Sequence, residues 1–334
     1  MQHPINVSPS QTAFDAAEDE TILAAAIRQG INLPHSCQSG VCGSCAARLL
    51  SGSVRKSAEY DDYVLTEEEL ASGMILLCCS QAQSAVEVDM PSYAGTKAID
   101  IRTLPARIGK VDIRGDVAVM SVALPKAPPF CFYAGQYMEI LTKDGGRYYS
   151  IASSPDTKGT LEFHIRHQAG GMFSPQLFSG SLKSGSIIRL RGPLGSFTLN
   201  EESSAPLLLL ATGTGLAPVK SILHRLADTA TTRPVHLYFG ARGRDGLYDE
   251  SALQELLARL PAASYTPVLS RADSQWQGAQ GYIQEQALHD YPELSAFEAY
   301  ACGSPAMIRE AKQRFIAAGL ADKAFYSDAF TAHV

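Results

Sequence analysis

The sequence predicts a multidomain chain in which three fold classes follow one another. They are a small mixed α+β unit, an antiparallel β-barrel and a parallel α/β sheet. Three observations predict it. Cysteines crowd the stretch Cys37-Gln38-Ser39-Gly40-Val41-Cys42-Gly43-Ser44-Cys45, between short strand and helix signals. The middle of the chain is a series of short β-type runs separated by Gly and Pro, with few helical patterns. After Pro206, strand-like and helix-like segments alternate.

Composition sets the outer bounds. A chain of 334 residues is too long for one ordinary domain. With 46% hydrophobic and 19% charged residues it has enough apolar material for sizeable cores. The net charge of -6, without a basic run, argues against nucleic acid as a partner. No charged-then-apolar leader and no apolar run long enough to cross a bilayer is present, so no membrane partner is expected. Seven cysteines without a secretory signal point to a reducing, cytoplasmic setting and to metal ligation rather than disulfides.

Residues 1–95 form the first expected domain. Ile5–Val7 and Thr12–Phe14 read as strands around the turn Ser8-Pro9-Ser10. Asp19 and Glu20 open a helix through Ile22, Leu23, Ala26 and Ile27, and Gly30 stops it. Arg48–Leu50 and Val54 continue as strand. Thr66 ahead of Glu67-Glu68-Glu69 reads as a capped helical turn. Met74–Cys78 reads as an apolar strand. Pro91–Ile101 carries turn formers and no periodicity, and serves as a linker.

The second domain, 101–202, is the barrel. Its strands are expected at Val117–Leu124, Gln136–Leu141, Tyr148–Ala152, Leu161–Ile165 and Ile187–Arg191. The third, 203–334, has strands at Leu207–Ala211, Val235–Phe239, Tyr265–Leu269 and Ala299–Cys302. Helices lie between them near Val219–Ala227, Ser251–Leu260, Ile283–His289 and Met307–Ala317.

The cysteine stretch reads C-x4-C-x2-C, with a further partner at Cys78. That is the spacing of a plant-type [2Fe–2S] site. Gly40 and Gly43 let the backbone wrap the sulfurs closely, so that N–H groups offset the cluster's negative charge. Four cysteines can also hold structural zinc, but zinc sites pair two C-x2-C knuckles. Here one loop meets a lone partner.

Three other signals are weak taken singly. Arg147-Tyr148-Tyr149-Ser150 can be an ordinary half-buried strand face. Gly170-Gly171-Met172-Phe173-Ser174 is either a turn or a cradle of exposed N–H groups suited to phosphate. Ala211-Thr212-Gly213-Thr214-Gly215-Leu216-Ala217-Pro218 lies between a strand and a helix, as does Ala301-Cys302-Gly303-Ser304-Pro305. Such strand ends are where ligands bind an open α/β sheet.

In this order, the segments HSCQSGVCGSC, RYYSIASSP, FHIRHQAGGMFS, RGPLGSF, LLATGTGLAPVKS, LYFGAR, YACGSPAMI and FYSDAF closely resemble one family. It is the three-module reductase: a β-grasp [2Fe–2S] ferredoxin domain, an FAD-binding β-barrel and a nicotinamide-binding α/β domain. The likeness is nearest to the CDP-6-deoxy-3,4-glucoseen reductases and the reductase components of ring-hydroxylating dioxygenases. It runs from Ile5 to Phe330.

The resemblance implies roles. Cys37, Cys42, Cys45 and Cys78 hold the cluster. The fourth ligand of ferredoxin-like sequences falls about seven residues before the next strand. That selects Cys78, ahead of Ala85–Val88, and leaves Cys79 as a small packed or half-exposed thiol. Arg147 pairs with the FAD pyrophosphate. Tyr149 stacks on the flavin ring and Ser150 hydrogen-bonds its N5. His164 and Ile165 contribute to the FAD site, and Gly171, Met172 and Ser174 hold the pyrophosphate. Thr212, Gly213, Thr214, Gly215, Pro218, Cys302 and Gly303 bind the nicotinamide nucleotide, with Cys302 beside the hydride-transfer locus. Phe330, with Asp328 nearby, shields the flavin face.

Electron counting then gives the function. A nicotinamide delivers two electrons as hydride, a [2Fe–2S] cluster accepts one, and flavin can do both. Electrons therefore run from NAD(P)H to FAD, to the cluster, and on to an electron-accepting protein such as an oxygenase or a pyridoxamine-dependent dehydratase. NADH is the expected donor. Arg242 and Arg244 after Val235–Phe239 argue for NADPH instead. The competing readings are a ferredoxin-type carrier without its own turnover and a flavohaem-type protein. The flavohaem reading would need a globin module where the cysteines stand.

Overall fold

The structure, a computed structural model of the chain, describes all residues except 61–63, 92, 94–98, 144, 158 and 331–334. Much of the expected linker Pro91–Ile101 thus lies outside the described residues. The chain divides into two compact units, Met1–Arg102 with Pro193–Ser196, and Thr103–Gly192 with Phe197–Val334.

In the first unit, β1 (Gln2–Ser8) and β2 (Thr12–Ala17) form a hairpin, followed by α1 (Ile22–Arg28). Then come β3 (Ala46–Ser51), β4 (Val54–Lys56), α2 (Glu67–Ala71), β5 (Met74–Leu76), β6 (Ser80–Ala82) and β7 (Val86–Asp89). The main sheet runs β2-β1-β7-β3-β5, with β1 parallel to β7 and the pairs β1–β2, β3–β7 and β3–β5 antiparallel. Strict alternation in β1 sends Ile5 and Val7 into the core. There α1 packs its Ile22, Leu23, Ala26 and Ile27 face.

Three expectations are corrected here. The cap of α1 is Thr21, whose hydroxyl accepts from Ala24 N; Asp19 and Glu20 stand outside the first turn. Glu20 instead bonds Ala17 N and Arg28. The strand carrying the fourth cysteine ends at Leu76, and Leu77–Cys79 is a 3-10 turn. That turn lets Cys78 and Cys79 face nearly the same region instead of alternating as they would in a strand. The next strand is the short β6, which starts two residues after Cys78, so a count to Val86 is not the distance to the next strand. Thr66 forms the anticipated capping box with Glu69.

The second unit opens with a six-stranded barrel. It consists of β8 (Arg102–Arg114), β9 (Val117–Ala123), β10 (Tyr137–Thr142), β11 (Gly145–Ser150), β12 (Thr160–Arg166) and β13 (Ile187–Leu194), with the five-residue α3 (Ser174–Phe178) before β13. Strand order is β11-β10-β13-β8-β9-β12, and an Ile151–Phe163 bridge joins the two edges. Closing a sheet on itself removes its free edges. Leu104, Ile108, Met120, Met138, Ile140, Phe163 and Leu190 fill the interior. The long β8 was not expected: Pro105 and Gly109 interrupt its β-type residues.

The α/β part contains β14 (Leu207–Thr212), α4 (Leu216–Asp228), β15 (Val235–Ala241), α5 (Glu250–Leu257), β16 (Ala263–Leu269), β17 (Ala279–Gln280), α6 (Ile283–Asp290), β18 (Glu298–Gly303), α7 (Pro305–Ala317) and β19 (Phe325–Ala329). The sheet runs β17-β16-β15-β14-β18-β19, and its strands pair in parallel throughout. Central strand β14 is buried from Leu207 to Ala211, as a strand covered by helices on both faces must be. No helix among the described residues is long and apolar enough to cross a membrane.

Candidate functional site

The cysteine loop of the first unit is held by left-handed backbone at Gln38, Gly40 and Gly43, with φ of 56°, 76° and 74°. Gly40 has a second reason to be glycine: a β-carbon there would lie 2.8 Å from Tyr60 Cβ and 2.9 Å from Cys79 Sγ. The sulfurs meet in two pairs. Cys42 lies in hydrogen-bond contact with Cys37, which holds Cys37 below the ordinary thiol range and, with burial, pushes Cys42 up. Cys45 meets Cys78, and that contact, then the one with Cys79 and burial, pushes Cys78 up. Ser39 N donates to Cys37 Sγ at 3.4 Å. Two pairs of thiols, each able to take one iron, with a backbone N–H aimed at sulfur, form a donor set that fits a two-iron cluster. Cys79 is buried, with its Sγ 3.6 Å from that of Cys78. All seven cysteines are free of disulfides.

On the barrel, Tyr149 sits against Phe173 with ring centroids 5.7 Å apart, and burial pushes its phenol up to about 12. It is therefore a neutral aromatic surface at physiological pH. Ser150 beside it is buried. Arg147 Nη1 donates to Gly146 O. The Gly170–Ser174 turn is closed by Gly171 N to Gln168 O and by Gln168 N to Ser174 Oγ. The Ser174 hydroxyl is thus part of the turn's own bonding, not simply an open donor. His164 is likewise engaged: its Nδ1 is 2.7 Å from Tyr248 Oη and its Nε2 3.0 Å from Glu162 Oε1. Ile165 lies in the barrel core.

At the C-terminal ends of the parallel strands lies a cleft of about 940 Å³. Thr212, Gly213, Thr214, Gly303 and Phe330 line it. Gly213, at φ 55°, starts the 3-10 turn leading into α4. A β-carbon on Gly213 would lie 3.0 Å from the Arg166 guanidinium, and Arg166 pairs with Asp116 at 3.1 Å. Gly215 does a different job from the one expected. It lies under the Cys302 carbonyl, where a β-carbon has no room. Pro218 is buried within α4.

Cys302 is also placed differently. Its thiol is fully buried in the core around β14 and α4, and the cleft lining does not include it. Burial, then Asp328, pushes it well up, so it remains a protonated thiol. Phe330 is anchored by its N–H to Gly303 O at 2.8 Å, and Asp328 is buried.

Arg242, which the sequence reading had singled out, lines the cleft, and so do Arg166, Asp245, Tyr282 and Glu310, which it missed. Arg166 was within reach: it lies two residues from His164 on a strand already recognised. Tyr282 was not, because it follows the two-residue strand β17, which is too short to show a period.

Comparison with known proteins agrees with this architecture. A 2Fe-2S iron-sulfur cluster binding domain matches residues 5–83, an oxidoreductase FAD-binding domain 108–199 and an oxidoreductase NAD-binding domain 209–313. The chain is 40% identical to the CDP-6-deoxy-L-threo-D-glycero-4-hexulose-3-dehydrase reductase of Yersinia pestis, over 99% of both chains. It belongs to this family of iron–sulfur flavoprotein reductases. The reductase is also 32% identical to terephthalate 1,2-dioxygenase reductase component 2 of Comamonas, over 99% of this chain and 98% of that one. The Amycolatopsis cytochrome P450 reductase GcoB superposes with a TM-score of 0.83 at 31% identity, covering 98% of this chain and 99% of that one. The reductase is accordingly an NAD(P)H-dependent oxidoreductase with [2Fe–2S], FAD and NAD-binding domains, and it passes electrons to a partner. Its relatives are components that serve dehydratases or oxygenases.

Proposed function

We propose that Cys37, Cys42, Cys45 and Cys78 hold the cluster, two cysteines to each iron. The carrying observation is the pairing of these sulfurs by a loop and a 3-10 turn that bring four thiols to one place. Tyr149 offers a neutral aromatic face to the flavin ring, Ser150 a hydroxyl, and Arg147 a planar cation for the pyrophosphate. The Thr212–Thr214 turn and Gly303 receive the nicotinamide nucleotide, with Arg166 supplying positive charge beside the turn. Phe330 covers the flavin side of the cleft. Cys302 supports the β18 loop from within the core. FAD, when bound, supplies the chemistry that converts a two-electron donor into one-electron transfers.

NADH is the proposed donor. The argument for NADPH needed two arginines, but the cleft lining includes Arg242 and not Arg244. Carboxylates of Asp245, Asp116 and Glu310 share that lining. Of the two arginines in the lining, Arg166 is already paired with Asp116, so an added dianionic phosphate would meet mainly Arg242 among several acids, whereas a ribose diol needs acceptors.

The acceptor is proposed to be a dehydratase component acting on a nucleotide-linked deoxyhexulose. Support comes from the higher identity to the dehydrase reductase, 40%, than to the terephthalate dioxygenase reductase, 32%. The test is NADH-dependent electron delivery to each class of purified component. Transfer to an oxygenase and not to a dehydratase would reverse the assignment.

A further inference from the structure

Within the second unit, one buried polar cluster joins the barrel to the α/β sheet. Lys220 on α4 reaches Glu162 Oε1 of β12 at 2.8 Å and Asp249 Oδ2, just before α5, at 2.6 Å. Its side chain is 7% exposed and that of Asp249 1%. Arg114, at the end of β8, also pairs with Asp249. His164 completes the group: Tyr248 Oη faces one ring nitrogen and Glu162 the other. A neutral imidazole satisfies both contacts by accepting from the phenol and donating to the carboxylate.

The ligand atoms of Glu162, His164 and Asp249 lie within 4.8 Å of one another, which is a spacing that suits a metal ion. Lys220 Nζ already stands between the two carboxylates, so the place a cation would take is filled by an ammonium. Burial opposes charge on Glu162, yet hydrogen bonding from His164 and the charge of Lys220 hold it well below the usual carboxylate range. Such a cluster is stable only while all its members are paired.

Its location gives it a consequence. Lys220 lies one turn into α4, the helix that opens at the Gly213–Gly215 turn. Glu162 and His164 lie on β12, which ends at Arg166 and leads to the Gly170–Ser174 turn. The same ion network therefore fixes the nucleotide turn against the strand that leads to the barrel's ligand-facing turn. We infer that Lys220 is a positioning residue for hydride transfer, setting the distance between the bound nicotinamide and the flavin without touching either. This rests on the proposed placement of FAD and NADH.

The test uses the full chain loaded with cluster and FAD, with Lys220→Met, Lys220→Arg and Glu162→Gln variants. Four quantities are read: FAD content, NADH dissociation constant, anaerobic hydride-transfer rate with the nicotinamide–flavin charge-transfer absorbance, and hydrogen exchange at residues 213–219. The expected result for Lys220→Met is unchanged FAD content and an NADH dissociation constant within about twofold, since neither ligand touches Lys220. Hydride transfer should fall about tenfold or more, as displacements near 1 Å do, with weaker charge-transfer absorbance and faster exchange at the turn. Lys220→Arg should restore part of the rate. Should Lys220→Met fail to fold, Glu162→Gln, which keeps the Lys220–Asp249 pair, should show a smaller loss of the same kind. Normal hydride transfer in a folded variant, or FAD content and NADH affinity falling in step with the rate, overturns the inference. Failure of the unaltered chain to bind FAD or NADH would instead overturn the site assignment beneath it.

Discussion

Gly303 and Thr212 approach so closely that a β-carbon on Gly303 would fall on the Thr212 hydroxyl oxygen. Gly303 also has φ 138°, a backbone state that L-residues avoid. The contact joins the β14 and β18 loops, and Ser304 N donates to the same Thr212 Oγ1 at 3.2 Å. Gly303 is required for loop-to-loop packing first, and it shapes the cleft through that packing.

Gly303→Ala is therefore expected to cost about 1–3 kcal/mol of stability and to weaken NADH binding. Cluster absorbance should be unaffected. Calorimetry and NADH titration of the same preparation check this. Unchanged affinity with a lowered melting temperature would separate the packing role from the cleft.

Cys78→Ser should lose the iron and the cluster absorbance, and Cys79→Ser should retain both. Cys78 meets Cys45, whereas Cys79 packs against Gly40 and Cys78. Iron survival in Cys78→Ser with its loss in Cys79→Ser would move the fourth ligand by one residue.

Stability should fall in acid through Glu162. Its folded carboxyl titrates below its unfolded value of about 4.5, so its contribution is complete above that pH. It is lost as pH falls from there toward the folded value. Melting temperature against pH should therefore drop less steeply below about pH 4.5 in Glu162→Gln than in the unaltered chain. Parallel curves would mean that the carboxylate adds nothing to the acid response.

Donor preference gives a further check. kcat/KM should be greater with NADH, and Arg242→Ala should depress the NADPH value more than the NADH value. A strong NADPH preference in the unaltered chain would contradict the reading of the cleft.

Much of this was legible in the sequence because it rests on local patterns. The cysteine spacing, the Thr66 cap, the apolar run of β14 and the glycine turns each declare themselves within a few residues. What escaped depends on tertiary context. Strand β8 hides behind Pro105 and Gly109, while β17 is two residues long. Cys78 sits in a 3-10 turn instead of a strand because both it and Cys79 turn inward. Cys302 and His164 carry chemistry-bearing side chains. Only the packed structure shows one thiol sealed in a core and one imidazole bound to Tyr248 and Glu162. The Lys220 cluster draws on β8, β12, α4 and the start of α5, so no window of sequence contains it.

The central claim is the order of electron flow, from NADH through FAD to the cluster and then to the partner. Anaerobic stopped-flow mixing of the full chain with NADH tests it most directly, with the flavin and cluster bands followed together. Flavin absorbance should bleach first and cluster absorbance should fall afterwards, with Cys78→Ser showing the first phase alone. Cluster reduction ahead of the flavin, or reduction by NADH after FAD has been removed, would contradict it.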